Sequence, residues 1–452
     1  MQTPFIGRER ELAVLEEFAG TSRAEMFVLY GRRRVGKTEL LQRFCRGRKA
    51  VYFLAAQVRD KDNLEAFRLA LKEAIDDPLL DSIDFRDWPA ALAFAAERAG
   101  DERLVVILDE FPYLCEANKG LPSLLQRFWD SRGKRSRLML VLCGSQVSFM
   151  EREVLAEASP LFGRRTGQRR LEPLLPVEAL AFFPHWTLAE RLVTFAVLGG
   201  MPAYLQRFRD GANFEENLLR EVLRPEGYLF DEVNFLLRSE MSQPATYNSI
   251  LHAVARGSER VGDIAAAVGV DSTTANKYLS TLRELGLVER HVPLTDPDPL
   301  RSRRGTYRIA DRFLAFHFRH VQPHLSLIEA GRGKNVLERF IRPDLPTLVE
   351  DARVDFLLTH LGRDAGELLG DEVVEVGRHG GSHVRALGRT ASGAWVAAVL
   401  PPAAGASGEV LERELAQVRQ ALGGTLHRLR YAFGQDPENP LRAALIGPQV
   451  QV

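Results

Sequence analysis

Residues Gly31-Arg32-Arg33-Arg34-Val35-Gly36-Lys37-Thr38 match the G-x-x-x-x-G-K-[ST] spacing of a phosphate-binding loop at every position. The glycines let backbone N–H groups turn inward on an anion. Lys37 then reaches the β- and γ-phosphates of a nucleotide, and the Thr38 hydroxyl binds Mg²⁺. Gly31, Arg32, Arg34, Val35, Gly36 and Glu39 complete the expected nucleotide contacts. A second group follows an apolar run: Leu104-Val105-Val106-Ile107-Leu108 ends in Asp109-Glu110. Asp109 is placed to share the Mg²⁺ shell with Thr38, and Glu110 to polarise the attacking water. A third run, Leu138 to Cys143, ends in Gly144-Ser145-Gln146. Ser145, with Gln146 second, is expected to contact the γ-phosphate or the water, although a simple helix cap fits the same residues. Arg164 and Arg165 form a pair in the Gly-containing loop 159–167. Either could serve as an arginine finger, or the pair could be merely solvated.

These groups need a scaffold that brings them to one edge. Met26 to Tyr30, Ala50 to Ala55, Leu104 to Leu108 and Leu138 to Cys143 read as short apolar strands. Helical stretches lie between them, around Glu39 to Phe44, Asn63 to Ala74 and Pro89 to Ala99. That alternation predicts an α/β fold with a mostly parallel sheet, where ligands bind at the carboxyl edge. A strand-and-helix pair separates the two main motifs. This resembles the additional-strand class of P-loop ATPases, whose glutamate directly follows the metal aspartate.

The chain has 452 residues, enough for two to four domains, and a formal net charge of +0. No global field therefore draws it to nucleic acid or an anionic membrane. Its three cysteines, Cys45, Cys115 and Cys143, show no metal-ligand spacing and read as reduced thiols near the core. No apolar run is long enough to span a bilayer and the amino terminus lacks a signal-peptide pattern, so a cytoplasmic location is expected.

The segments Phe5-Ile6-Gly7-Arg8-Glu9, Gly31 to Leu41, Leu108 to Leu114, Leu142 to Met150, Pro160 to Gln168 and Gly199 to Leu205 together resemble the archaeal-type predicted ATPases. These belong to the STAND branch of AAA+-like NTPases. The resemblance implies ATP/ADP as ligand, Ile6, Gly7 and Arg8 with Pro202 flanking adenine and ribose, and a helical lid that reports nucleotide state. It divides the chain into a P-loop ATPase core at 1–175, a helical lid at 176–240, a winged helix at 241–320 and a C-terminal α/β nuclease-like domain at 321–452.

The third of these parts also reads from its own residues. Val261 to Val268 is a short helix closed by Gly269. Asp271 caps the next helix, which runs to Leu285. Two strand candidates, Leu287 to Arg290 and Gly305 to Ile309, complete a winged helix. Lys277 and Arg283 on the second helix, with Arg301, Arg303 and Arg304 in the wing, could contact double-stranded DNA. Packing against another part of the chain is the other use, and Asp271, Glu284, Asp296 and Asp298 dilute the basic charge.

In the family the final segment often resembles restriction endonucleases, which need a metal-binding Asp and then Glu-x-Lys on the adjacent strand. Lys334 is the last lysine of the chain and precedes the strand candidates His383 to Leu387 and Gly393 to Leu400. Arg385, Ala398 and Leu400 stand where acid, Glu and Lys belong, so no nuclease activity is expected. Pro401 to Gly408 reads as a loop, Glu409 to Leu422 as a helix, and His379 and His383 as surface residues.

The expected function is a slow, Mg²⁺-dependent ATPase switch read by the winged helix and C-terminal domain. A DNA-dependent motor and a nucleotide-bound transcription regulator without significant turnover are the alternatives. A protein partner or self-association fits the switch.

Overall fold

The structure is a computed structural model and describes residues 5–241, 244–296, 298, 301–302, 304–400, 408–422, 424–434 and 440–445. Arg303 and the 401–407 part of the expected loop lie outside the described residues. The chain divides into two compact units, Met1–Pro173 and Leu174–Val452.

The first unit is built on a five-stranded, all-parallel sheet. Its strands are β1 (Glu25–Tyr30), β2 (Ala50–Leu54), β3 (Leu104–Asp109), β4 (Leu138–Gly144) and β5 (Gly167–Arg170), in the order β2-β3-β4-β1-β5. β1, β3 and β4 are buried at every residue, as expected of central parallel strands covered on both faces. β4 is the additional strand between the two motif strands. Its register sets Tyr30 opposite Gly144 and Leu108 opposite Leu142, so the residues after β1, β3 and β4 emerge at one edge.

Two glycines at that edge are required by space. A Cβ on Gly31 would lie 2.4 Å from the Leu171 carbonyl oxygen, and one on Gly144 would lie 2.6 Å from Met150 Sδ. On one side of the sheet, Phe53, Phe67 and Trp88 pack together, and Trp88 Nε1 donates to Asp60 Oδ1 at 2.8 Å.

The second unit begins with helices Pro176–Leu180, Leu188–Leu198, Pro202–Leu205, Phe214–Glu221 and Glu232–Glu240. A winged helix follows, with helices Pro244–Ala255, Val261–Val268 and Ser272–Glu284 and the antiparallel pair β6 (Val288–His291) and β7 (Thr306–Ile309). Gly269 ends the second helix at φ 78, and Asp271 Oδ1 accepts N–H bonds from Thr273 and Thr274, both at 2.9 Å.

The last part has β8 (Val373–Arg378), β9 (Val384–Thr390), β10 (Trp395–Val399), β11 (Leu426–Phe433) and β12 (Leu441–Leu445), in the order β12-β11-β10-β9-β8. Only β10 and β11 run parallel, joined through the helix Gly408–Leu422. His383, expected at the surface, is buried at 4% exposure. Glu414 accounts for this: its carboxylate accepts the N–H groups of Ser382, His383 and Val384 at 2.8–3.0 Å and draws that turn inward.

The wing root is fastened to this sheet. Leu294 packs against the apolar cluster of Val384, Leu387, Ala397 and Leu415. Arg308 on β7, Arg312 and Arg378 on β8 surround Asp351 and Asp355 of the helix Leu345–Arg363. The contacts include Arg378 to Asp351 at 2.7 Å, Arg312 to Asp355 at 2.8 Å and Arg308 to Asp351 at 3.5 Å. Burial alone would raise the Glu289 and Asp351 carboxyls. A hydrogen bond from His291 and the Arg308 charge overcome this at Glu289, and Arg378, Arg312 and Arg308 overcome it at Asp351, holding both at about 2. Both folded values lie below the ordinary carboxyl range, so the stability they contribute is complete above about pH 5 and is lost as pH falls towards 2. The urea midpoint of the chain is therefore expected to drop between about pH 5 and pH 3, and to drop less in Arg378→Met. Equal drops in the two proteins would show that this network does not carry the effect.

Candidate nucleotide site

The phosphate loop leaves β1 and ends in the helix Lys37–Cys45. Arg34 and Gly36 hold positive φ angles of 69° and 96°, which turn the intervening amides toward the inside of the loop. No side chain caps the helix start, so its first-turn N–H groups face the same space. Lys37 is buried and folds across the arch, donating from Nζ to the carbonyls of Gly31 at 2.8 Å and Arg32 at 3.0 Å. An ammonium has three donors, so one remains for an anion. Thr38 and Glu39 are exposed, Val35 is buried, and Arg32 and Arg34 are half-buried.

The segment of Ile6, Gly7 and Arg8 runs beside this loop. Arg8, buried and at φ 73, donates from Nη2 to the Val35 carbonyl at 3.0 Å. Its guanidinium also pairs with Glu11 at 3.6 Å.

Asp109 ends β3 and is 1% exposed. Its Oδ2 accepts the Thr38 hydroxyl at 3.1 Å and the Tyr52 phenol, and its Oδ1 accepts the Glu110 N–H at 2.9 Å. Tyr52 stands on β2 two residues before Leu54, which pairs with Asp109. Burial, and then the nearby Asp109 charge, push the phenol well above its ordinary value, so it stays protonated and acts as the donor.

Glu110 adopts the left-handed conformation at φ 54 and ψ 44 as the residue preceding the helix Phe111–Ala117. This sparsely populated geometry costs about 1–3 kcal/mol for a non-glycine residue. It turns the carboxylate toward the end of β4, where Oε2 accepts the Ser145 hydroxyl at 2.8 Å and the Ser145 N–H at 3.3 Å. Gln146 instead donates to Glu116 at 3.2 Å.

The sheet thus brings together Gly31 to Thr38, Asp109, Glu110 and Ser145. It does not join Arg164 or Arg165 to them. Thr166 N–H bonds the Met26 carbonyl at 2.8 Å, so this loop enters beside the amino half of β1, roughly 13 Å of strand from Tyr30. Arg164 pairs with Asp130 at 3.0 Å, and Arg165 donates to the Leu155 carbonyl at 2.8 Å. Pro202 begins a short helix of the second unit. In the winged helix, Thr273, Asn276, Lys277, Ser280 and Arg283 form an exposed polar face, while Ala275, Leu279 and Leu282 are buried. Arg301 is exposed, and Arg304 lies 3.9 Å from Asp296.

No group of three or more His, Cys, Asp or Glu side chains that could hold a metal occurs among the described residues. A Mg²⁺ ion at this loop needs only one carboxylate and one hydroxyl besides phosphate oxygens. Thr38 and Asp109, already in contact, fit that requirement.

A five-stranded parallel sheet with β4 between the phosphate-loop strand and the acid-bearing strand defines an additional-strand P-loop ATPase. The chain matches the ATPase domain found predominantly in Archaea over residues 5–208, and the bacterial regulatory proteins of the arsR family over residues 246–290. It is 35% identical to the uncharacterized protein MJECL04 of Methanocaldococcus jannaschii over 327 residues, 72% of this chain and 71% of that one. The chain belongs to this archaeal-type ATPase family. The uncharacterized ATP-binding protein MJ0423 of the same organism is 44% identical over 45 residues, 10% of this chain and 76% of that one. Among solved structures, the Walker-type ATPase of Pyrococcus abyssi shares the fold, with TM-score 0.53 and 21% identity over 70% of this chain and 96% of that one. No helix among the described residues is long and apolar enough to cross a membrane.

Proposed function

We propose that the chain is an ATP-driven conformational switch that binds ATP at Gly31 to Thr38 and hydrolyses it slowly. The observation that carries this reading is the convergence of Lys37, the Thr38–Asp109 pair and the Glu110–Ser145 pair at the carboxyl edge of one sheet. Lys37 and the loop amides would bind the β- and γ-phosphates, with Arg32, Arg34, Val35 and Glu39 completing the loop's contacts. Ile6, Gly7 and Arg8 would adjoin the nucleoside, and Pro202 is assigned to the same contact on the resemblance alone. Thr38 and Asp109 are the residues that would hold Mg²⁺, which supplies charge neutralisation to the phosphates. Glu110 takes the proton of the attacking water, and Ser145 orients the Glu110 carboxylate for that step. Arg164 and Arg165 have no part in the reaction within one chain. The family's ATPase domain and the likeness to an ATP-binding protein of Methanocaldococcus jannaschii support this reading.

The helices at 176–240, the winged helix and the C-terminal sheet are the elements that would report nucleotide state. The C-terminal sheet acts as a scaffold, because Arg385, Ala398 and Leu400 supply no metal acid and no lysine for strand cleavage. The exposed face of the helix Ser272–Glu284 is suited to double-stranded DNA. Fluorescence anisotropy with a DNA duplex across a salt series tests this part. Each of Lys277→Ala and Arg283→Ala is expected to weaken binding and to lower the salt slope by about 1. Unchanged affinity in both, or no binding by wild type, would remove DNA from the account. ATP turnover that rises with DNA would instead favour the motor.

A further inference from the structure

Tyr52 is a residue that the phosphate-loop motifs do not include, yet its hydroxyl reaches the same Asp109 oxygen as Thr38. A carboxylate oxygen has about two lone-pair sites. Both sites of Oδ2 are therefore taken by hydroxyl donors, while Oδ1 accepts the Glu110 N–H. The two hydroxyls differ in what they can do next. Thr38 stands at the open end of the loop, exposed, and can donate its proton to Asp109 while turning a lone pair outward. Tyr52 comes from the neighbouring strand and donates its hydroxyl to Asp109 from outside the loop.

We propose that Tyr52 sets the Mg²⁺ requirement of the site by occupying, in the metal-free protein, the acceptor position on Asp109 that Mg²⁺ loading needs. This inference rests on the nucleotide reading above. Loading at Oδ2, the oxygen that Thr38 shares, would require the Tyr52–Asp109 bond to break, whereas the Thr38–Asp109 bond is kept. Tyr52 is a positioning residue: it acts through Asp109 and not on the nucleotide. Tyr52 is half-buried on β2, an outer strand of the sheet, and not among the fully buried strands β3 and β4.

The test is binding of a fluorescent ATP analogue to the full chain, titrated with MgCl₂, for wild type and Tyr52→Phe. The substitution removes one oxygen and keeps the ring in place. Loss of a hydrogen bond to a charged group is expected to lower the half-saturating Mg²⁺ concentration by about tenfold or more, with equal analogue affinity in EDTA. Equal affinity in EDTA also shows that the variant is folded at the site. An unchanged or raised Mg²⁺ midpoint with analogue binding intact overturns the inference and leaves the nucleotide reading standing. Absence of analogue binding by wild type overturns both.

Discussion

Lys37→Ala is expected to weaken ATP binding by about 10²- to 10⁴-fold and to abolish turnover at ordinary nucleotide concentrations. The size follows from hydrogen bonds to a charged group, worth roughly 1.5–3 kcal/mol each, when two phosphates lose their lysine. The loop itself also changes. Lys37 Nζ ties the Gly31 and Arg32 carbonyls together across the arch, and alanine removes both bonds. Equilibrium binding of ATP to wild type and variant measures the effect. Affinity within about twofold of wild type would mean that the loop is not the nucleotide site.

Glu110→Gln separates binding from chemistry. The amide keeps the shape of the side chain and an oxygen to accept the Ser145 hydroxyl, but it cannot take a proton from water. Turnover is expected to fall by about 10²- to 10⁴-fold, the usual contribution of a positioned general base. ATP affinity should remain close to wild type, because Glu110 contacts Ser145 and the Asp109 carboxylate, not the loop. The left-handed backbone at Glu110 supports this assignment, since the local strain is retained to aim one carboxylate at the end of β4. A variant that loses binding and turnover together would place Glu110 in the structure of the site and not in its chemistry.

The sequence exposes most of this site because its parts are local. The loop is eight consecutive residues, and Asp109, Glu110 and Ser145 follow directly on apolar runs that can only be buried strands. Strand order is less visible: β2, which lies between the motifs in sequence, takes the sheet edge, and β4, which follows the second motif, lies between β1 and β3, an order that only the resemblance to additional-strand ATPases implies. Tyr52 escapes notice because it sits inside the run Ala50 to Leu54, where a tyrosine looks like any other strand residue. Only the pairing of Leu54 with Asp109 brings its hydroxyl to the site.

The position of the arginine pair is not legible in the sequence. Gly167–Arg170 is too short and too polar to read as a strand, with no fully buried residue in it. Once β5 is seen to pair in parallel with β1 from Phe27 onward, the preceding Arg164 and Arg165 fall at the amino end of the sheet. His383 went astray for a related reason. Its burial is imposed by Glu414, a residue 31 positions away that collects three backbone N–H groups.

The central claim is that this chain hydrolyses ATP with Glu110 as the base, at the loop from Gly31 to Thr38. Phosphate release from saturating ATP and Mg²⁺ by wild type and Glu110→Gln, with ATP binding measured on the same samples, tests it most directly. The account predicts slow release by wild type, release lower by about 10² or more in the variant, and similar binding in both. Equal release by the two proteins, or bound ATP that wild type never hydrolyses, would contradict it.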